Sequence, residues 1–323
     1  MISEERIRAE LNRTVSETAF TGLGRMERGK VRDSYRQNDA RIIVTTDRIS
    51  AFDCVLGTIP FKGQVLNQIA AFWFENTQSV APNHVIDVPD PNVMVVRECQ
   101  QLQVEFVVRG YITGVTKTSA WYNYERGVRD FCGNVLPEGL KKDQKFDKPI
   151  LTPTTKSEKH DRPISRDGAI AEGLISAPTF DAVADICFRL FDAGVRYART
   201  RGLILVDTKY EFGILGDRIL VSDEIHTPDS SRYWFSDSYE ERFRAGKDQR
   251  NIDKEYVREW LAAQGFRGEG QPPALTDEVR VEAAKRYIQV YELITGREFQ
   301  APDGSANTRI PAALKARGYW PAA

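Results

Sequence analysis

Leu203-Ile204-Leu205-Val206-Asp207-Thr208-Lys209-Tyr210-Glu211-Phe212-Gly213 opens as an apolar run and then alternates, with Tyr210, Phe212 and Ile214 on one side and Asp207, Lys209 and Glu211 on the other. Period-two alternation marks a strand with one buried face and one working face. Gly216-Asp217 supplies a turn, and Ile219-Leu220-Val221 supplies a returning arm that ends in Ser222-Asp223-Glu224, so the stretch reads as a β-hairpin. A half-exposed strand ordinarily carries Thr, Ser or Gln outward. This one carries acid, base and acid.

Loop length decides which acids meet. A two-residue loop at Gly216-Asp217 opposes Glu211 to Ser222 and turns Asp223 to the other face. A loop of three, or a bulge, sets Glu211 opposite Asp223. Opposed carboxylates destabilise a sheet unless a cation lies between them, and magnesium favours one or two carboxylates plus substrate oxygens. The expectation is the odd-length turn, with a divalent metal bridging Glu211 and Asp223. The alternative is a hairpin whose acids are simply solvated.

The chain of 323 residues can bury a large core, as one large domain or two smaller ones. Its 45 Lys and Arg against 46 Asp and Glu leave a net charge of -1, which offers no field for nucleic acid. The cysteines Cys54, Cys99, Cys132 and Cys187 lie far apart and read as reduced packing residues, neither zinc ligands nor a disulfide framework. The N-terminal stretch has no apolar signal core and no run reaches membrane-spanning length, so the expectation is a soluble, cytoplasmic protein.

Upstream, residues 3–15 fit a short amphipathic helix capped by Ser3. Gly29-Lys30-Val31-Arg32-Asp33 then leads to a strand at 41–46. Such a turn can lay backbone N–H groups and a lysine on phosphates, and can equally be a solvated hairpin. Asp47-Arg48-Ile49-Ser50-Ala51-Phe52-Asp53 fits a site rim or a plain turn. A helix at 64–79, a Pro-rich loop at 82–91 and strands at 93–97 and 104–109 complete an α+β domain over 1–109.

The second domain is expected over 110–323. Ser119 stands where it can cap an aromatic helix (Trp121, Tyr122, Tyr124), and the helix start can face an anion or be a cap and nothing more. Residues 141–168 are polar and irregular, and loops of that length are functional or disordered. Phe180, Val183, Ala184, Cys187, Leu190, Phe191, Val195 and Ala198 form the core stripe of a helix that Thr179 opens and Gly202 ends. Helices at 253–264 (Tyr256, Trp260, Leu261 inward) and 276–295 close the chain.

A Gly-Lys turn for phosphate, a hairpin for metal, and Arg109, Arg232 and Ser119 as anion clamps are the parts that phosphoryl transfer needs. No HExxH, dinucleotide GxGxxG or hydrolase triad order occurs, and neither do the His-Arg-Asp and Asp-Phe-Gly signatures of kinases.

Nearly end to end, the chain resembles the SAICAR synthetase family of purine biosynthesis. The resemblance rests on Gly29-Lys30-Val31-Arg32-Asp33, Thr46-Asp47-Arg48-Ile49-Ser50-Ala51-Phe52-Asp53, Val108-Arg109-Gly110-Tyr111-Ile112-Thr113-Gly114, Thr152-Pro153-Thr154-Thr155-Lys156, Asp207-Thr208-Lys209-Tyr210-Glu211-Phe212-Gly213, and Asp223-Glu224 through Thr227-Pro228-Asp229-Ser230-Ser231-Arg232. Two departures stand out: Gln103 replaces a proline usual in members, and Val115 follows the Thr-Gly where some members place serine.

The resemblance implies an ATP-dependent ligase that joins L-aspartate to the carboxylate of CAIR through an acyl phosphate. It implies a smaller N-terminal kinase or ATP-grasp-like lobe over a larger α+β domain, with ATP between them. By family pattern the nucleotide phosphates fall to Gly29, Lys30 and Arg32, and the adenine lies near Glu105 to Val107. Magnesium falls to Glu211 and Asp223, and the ribonucleotide phosphate to Arg109, Arg232 and Ser119. Lys30 and Lys209 would neutralise charge on the transferred group, and Lys156, Ser157 and His160 would hold the aspartate. Asp207, Asp229 and Ser230 complete the implied substrate site. The partners implied are small molecules, with no nucleic acid and no membrane; monomer and homodimer both stay open.

Overall fold

The computed structural model describes residues 2–51, 54–156, 161–252, 255–266 and 270–320. The alternating stretch is a strand, Leu203–Leu215, of 13 residues. It is the hub of a seven-stranded sheet and pairs antiparallel with Val104–Ile112, Arg218–Ser222, Ser231–Phe235 and the short Gln100–Gln101. Val104–Ile112 pairs in turn with Gln144–Leu151 and Thr154–Thr155. Helix Ala177–Thr200 covers the apolar face with Phe180, Val183, Cys187, Leu190, Phe191, Gly194 and Ala198. Ser176 caps it by accepting from the Thr179 N–H, satisfying one of the orphan donors of the first turn. Within the expected stripe, Val195 is exposed and Gly194 takes the inward place.

This sheet belongs to a compact unit made of Asn76–Asn83 and Cys99–Ile252. The other unit comprises Met1–Glu75, His84–Glu98 and Asp253–Ala323. Its five-stranded antiparallel sheet runs Arg25–Arg28, Arg32–Arg36, Ala40–Thr45, Val93–Arg97, Val85–Asp90. Ile42, Val44, Val93 and Val95 alternate inward there and meet Ile310 and Leu314 of the C-terminal helix Ala306–Ala316.

The division expected at residue 109/110 is therefore corrected. A cut there would sever Val104–Ile112, a strand paired along both edges, and the C-terminal helices pack with the N-terminal elements. Residues 82–91 are likewise not a plain loop: Val85–Asp90 is an edge strand, where bulges and Pro89 are tolerated. Residues 141–168 hold strand Gln144–Leu151, again at an edge, the short strand Thr154–Thr155 and the start of helix Arg166–Ala171. The first helix is only Glu4–Ala9. Near the end, Glu255–Ala263 buries Val257 and Leu261, while Tyr256 and Trp260 are half-buried. Among the described residues, no helix is long and apolar enough to cross a membrane.

Candidate active site

The hairpin closes through the two-residue turn Gly216-Asp217, with Leu215 paired to Arg218 and Glu211 to Ser222. The odd-length turn is thus overturned, and Asp223 does not oppose Glu211. Gly216 adopts φ +63°, which a tight hairpin turn of this kind requires and glycine supplies without strain. Asp223 follows the ladder and turns left-handed itself, at φ 62°.

The cation between carboxylates is nonetheless present, as a side chain. The Lys209 ammonium donates to Glu105 Oε1 at 2.7 Å and to Glu211 Oε1 at 2.5 Å. The other Glu211 oxygen accepts from the Lys156 ammonium. Thr154 Oγ1 donates to the second Glu105 oxygen at 3.1 Å. Burial opposes a charge on Lys209, but Glu211, Glu105 and Asp223 outweigh it and hold the ammonium above its ordinary range. Burial likewise opposes ionisation of Glu211, and Lys209 with Lys156 overcomes it, holding the carboxylate well below the usual value. Glu105 goes the other way: burial and the Glu211 charge raise it more than Lys209 lowers it. Two carboxylates share one ammonium, so the pair cannot both relax, and Glu211, with a second lysine, is the one held ionised.

A second constellation lies on the same working face. Asp207 is paired in the ladder with Arg109 on one side and Arg232 on the other. Its Oδ2 accepts from Arg109 Nη1 at 3.0 Å and Arg232 Nη1 at 2.5 Å. Arg109 is 4% exposed and also donates to Thr152 Oγ1 and to the Thr118 carbonyl. Arg232, with 28% of its side chain exposed, is the guanidinium of the two that reaches solvent. Gly114, at φ +92°, lies between: a Cβ there would sit 2.4 Å from Ser119 Oγ and 2.9 Å from Arg232 Nη2. Only a bare α-carbon lets Ser119 and Arg232 come so close. Ser119 stands at the start of helix Ala120–Glu125 without capping it, and its hydroxyl meets Thr116 Oγ1 at 2.8 Å. Downstream, Thr227 Oγ1 accepts from the Asp229 and Ser230 N–H groups at 3.3 Å, shaping that turn.

In the other unit, the turn between Arg25–Arg28 and Arg32–Arg36 leaves Lys30 exposed. The Gly29 N–H is already donated to the Arg32 carbonyl at 2.8 Å. Arg48, which opens strand Arg48–Ala51, donates to the Gly29 and Lys30 carbonyls and to the buried Asp33. That buried arginine sets the turn's shape.

The structure therefore brings together Glu105, Lys156, Lys209, Glu211 and the charge of Asp223, and separately Arg109, Asp207, Ser119 and Arg232. Glu105 and Val107, assigned to the adenine by the resemblance, stand on strand Val104–Ile112. Glu105 is committed to Lys209, and the Val107 carbonyl accepts from the Thr152 N–H on a strand with both edges paired. Ser157 and His160 lie outside the described residues. Thr152 and Thr154 were missed as partners, although the Thr-Pro-Thr-Thr-Lys run was itself the signal.

Comparison with known proteins bears on this arrangement. A sequence profile described as SAICAR synthetase matches residues 25–273. Phosphoribosylaminoimidazole-succinocarboxamide synthase of Legionella pneumophila (strain Lens) is 51% identical over 293 residues, covering 89% of this chain and 94% of that protein. The chloroplastic phosphoribosylaminoimidazole-succinocarboxamide synthase of Arabidopsis thaliana is 48% identical over 296 residues, covering 90% of this chain and 72% of its own. The solved SAICAR synthase of Saccharomyces cerevisiae, complexed with SAICAR, superposes with a TM-score of 0.78 at 32% identity, over 89% of this chain and 100% of that one. Sequence, fold and the acid–base–acid strand agree: the chain belongs to the SAICAR synthetase family.

Proposed function

We propose that this chain is an ATP-dependent ligase that joins L-aspartate to the carboxylate of CAIR, giving SAICAR, ADP and phosphate. Membership of the family supports the reaction, and the observation that carries the chemistry is the Lys209 ammonium held between Glu105 and Glu211. An amine cannot attack a carboxylate that keeps its charge, so phosphorylation to an acyl phosphate must come first. Lys209 and Lys156 are poised to neutralise charge on the transferred phosphoryl group. Arg232, Ser119 and, through Asp207, Arg109 are placed to hold an anionic group such as the ribonucleotide phosphate. Asp229 and Ser230 are assigned to the same substrate by the resemblance, and Lys156 is the described candidate for an aspartate carboxylate. In the other unit, exposed Lys30 and half-buried Arg32 are assigned to nucleotide phosphate, with Gly29 forming the turn.

Magnesium is assigned to the carboxylates of Glu211 and Asp223, since it favours one or two carboxylates plus substrate oxygens. Among the described residues, no group of three or more His, Cys, Asp or Glu side chains is arranged to hold a metal. Glu211 and Asp223, whose charges both act on Lys209, are the two carboxylates to which such an ion would add phosphate and water oxygens. When bound, it would screen the phosphate charges during transfer.

ADP release tests the proposal. With ATP and magnesium, release should require CAIR, and sustained turnover should also require aspartate. Release that ignores CAIR would overturn the assignment.

A further inference from the structure

His226 has no place in the proposed chemistry, yet its surroundings are costly to build. It is fully buried, and its φ of 52° lies in the left-handed region, which costs a residue with a Cβ about 1–3 kcal/mol. Three contacts keep it there. The Tyr210 hydroxyl lies 2.5 Å from Nε2. The Tyr233 hydroxyl donates to the His226 carbonyl at 2.8 Å. Gly194 of helix Ala177–Thr200 leaves the ring its space, since a Cβ at that position would stand 2.6 Å from Cε1 and 3.0 Å from Nδ1. Burial keeps both rings neutral, pushing His226 down to about 3 and the Tyr210 hydroxyl well up.

Tyr210 alternates with Lys209 and Glu211 and so projects from the opposite face of the same strand. The bond to His226 therefore fastens the back of that strand to the segment that begins at Asp223. Asp223 is itself left-handed, at φ 62°. Two strained residues three positions apart in one turn would relax if nothing fixed them.

We propose that His226 is a positioning residue: pinned by Tyr210 behind the sheet, it fixes the turn of residues 223–226 and so the presentation of the Asp223 carboxylate to a divalent ion shared with Glu211. This rests on the reading of Glu211 and Asp223 as the metal carboxylates. A core histidine that merely fills space would stabilise the unit without touching metal affinity.

The test uses the full chain with ADP and Mn2+ as probe. His226→Asn keeps a residue that tolerates left-handed backbone but loses the reach to Tyr210; Tyr210→Phe keeps the ring and removes the hydroxyl. Phe131→Leu, in a separate core cluster of the same unit, controls for lost stability. Both pin variants should weaken calorimetric Mn2+ binding by about 10-fold or more, as loss of a metal site's outer support does. Amide exchange over residues 222–231 should rise, and the control should change neither. Should His226→Asn fail to fold, Tyr210→Phe carries the test alone. Mn2+ binding unaltered in the folded pin variants, with wild type binding normally, overturns the proposal alone. No Mn2+ binding by wild type with ADP overturns both it and the metal reading.

Discussion

At the scale of single residues, Glu211 carries most of the claim. Glu211→Gln removes the charge that Lys156 and Lys209 share, and kcat should fall on the order of 10²-fold or more. Circular dichroism should still report a folded chain, and activity near wild type would take Glu211 out of the metal role. His226 gives a pH signature. Its folded-state value of about 3 lies below the ordinary 6.5, so between those values the unfolded chain binds a proton that the folded chain refuses. Stability therefore falls as pH falls through that window, by at most about 1.4 kcal/mol per unit. Urea titrations at several pH values should show a flatter decline for His226→Asn than for wild type. Lys209 and Glu211 were legible because alternation placed them on one face. Their mutual pairing was not: Glu105 and Lys156 were named for other roles, and that they meet Lys209 and Glu211 depends on how Val104–Ile112 and Thr154–Thr155 pair in the sheet.

At the scale of elements, the hairpin was legible and its register was not. Turn residues announce a reversal, but whether two or three of them make the loop depends on backbone angles that Gly-Asp permits either way. The ladder ends at Ser222, and Asp223 leaves it in a left-handed bend. Strands Val85–Asp90 and Gln144–Leu151 escaped notice because edge strands carry prolines and charges that central strands exclude. Gly213, the last residue of the acid–base–acid motif, has a packing reason to be glycine: a Cβ there would lie 2.2 Å from Cys99 Sγ. Gly213→Ala should destabilise the chain by about 1–3 kcal/mol. Adding Cys99→Ala should recover part of the loss in a double-mutant cycle; strict additivity would show the two do not collide.

At the scale of the whole molecule, the α+β class and the family were readable, whereas the partition into units was not. Sequence order suggests halves, but contacts follow hydrophobic faces, and the stripe of helix Ala306–Ala316 belongs with the first sheet. Leu314→Ala, nine residues from the end of the chain, should cost about 2–5 kcal/mol. The loss should appear as faster amide exchange in residues 40–45 and 93–97. Unchanged exchange in those strands would detach the terminal helix from that core.

The same arrangement bears on how the polypeptide is made. A ribosome working at about 5–20 residues per second finishes the strand ending at Arg97 roughly ten to forty seconds before Leu314 emerges to cover it. The portion from Cys99 to Ile252 is fully synthesised well before then. The part translated second is thus the first able to complete itself, while the sheet of the part translated first waits, with Val15, Phe20 and Leu23 against it, for the helix that closes its core.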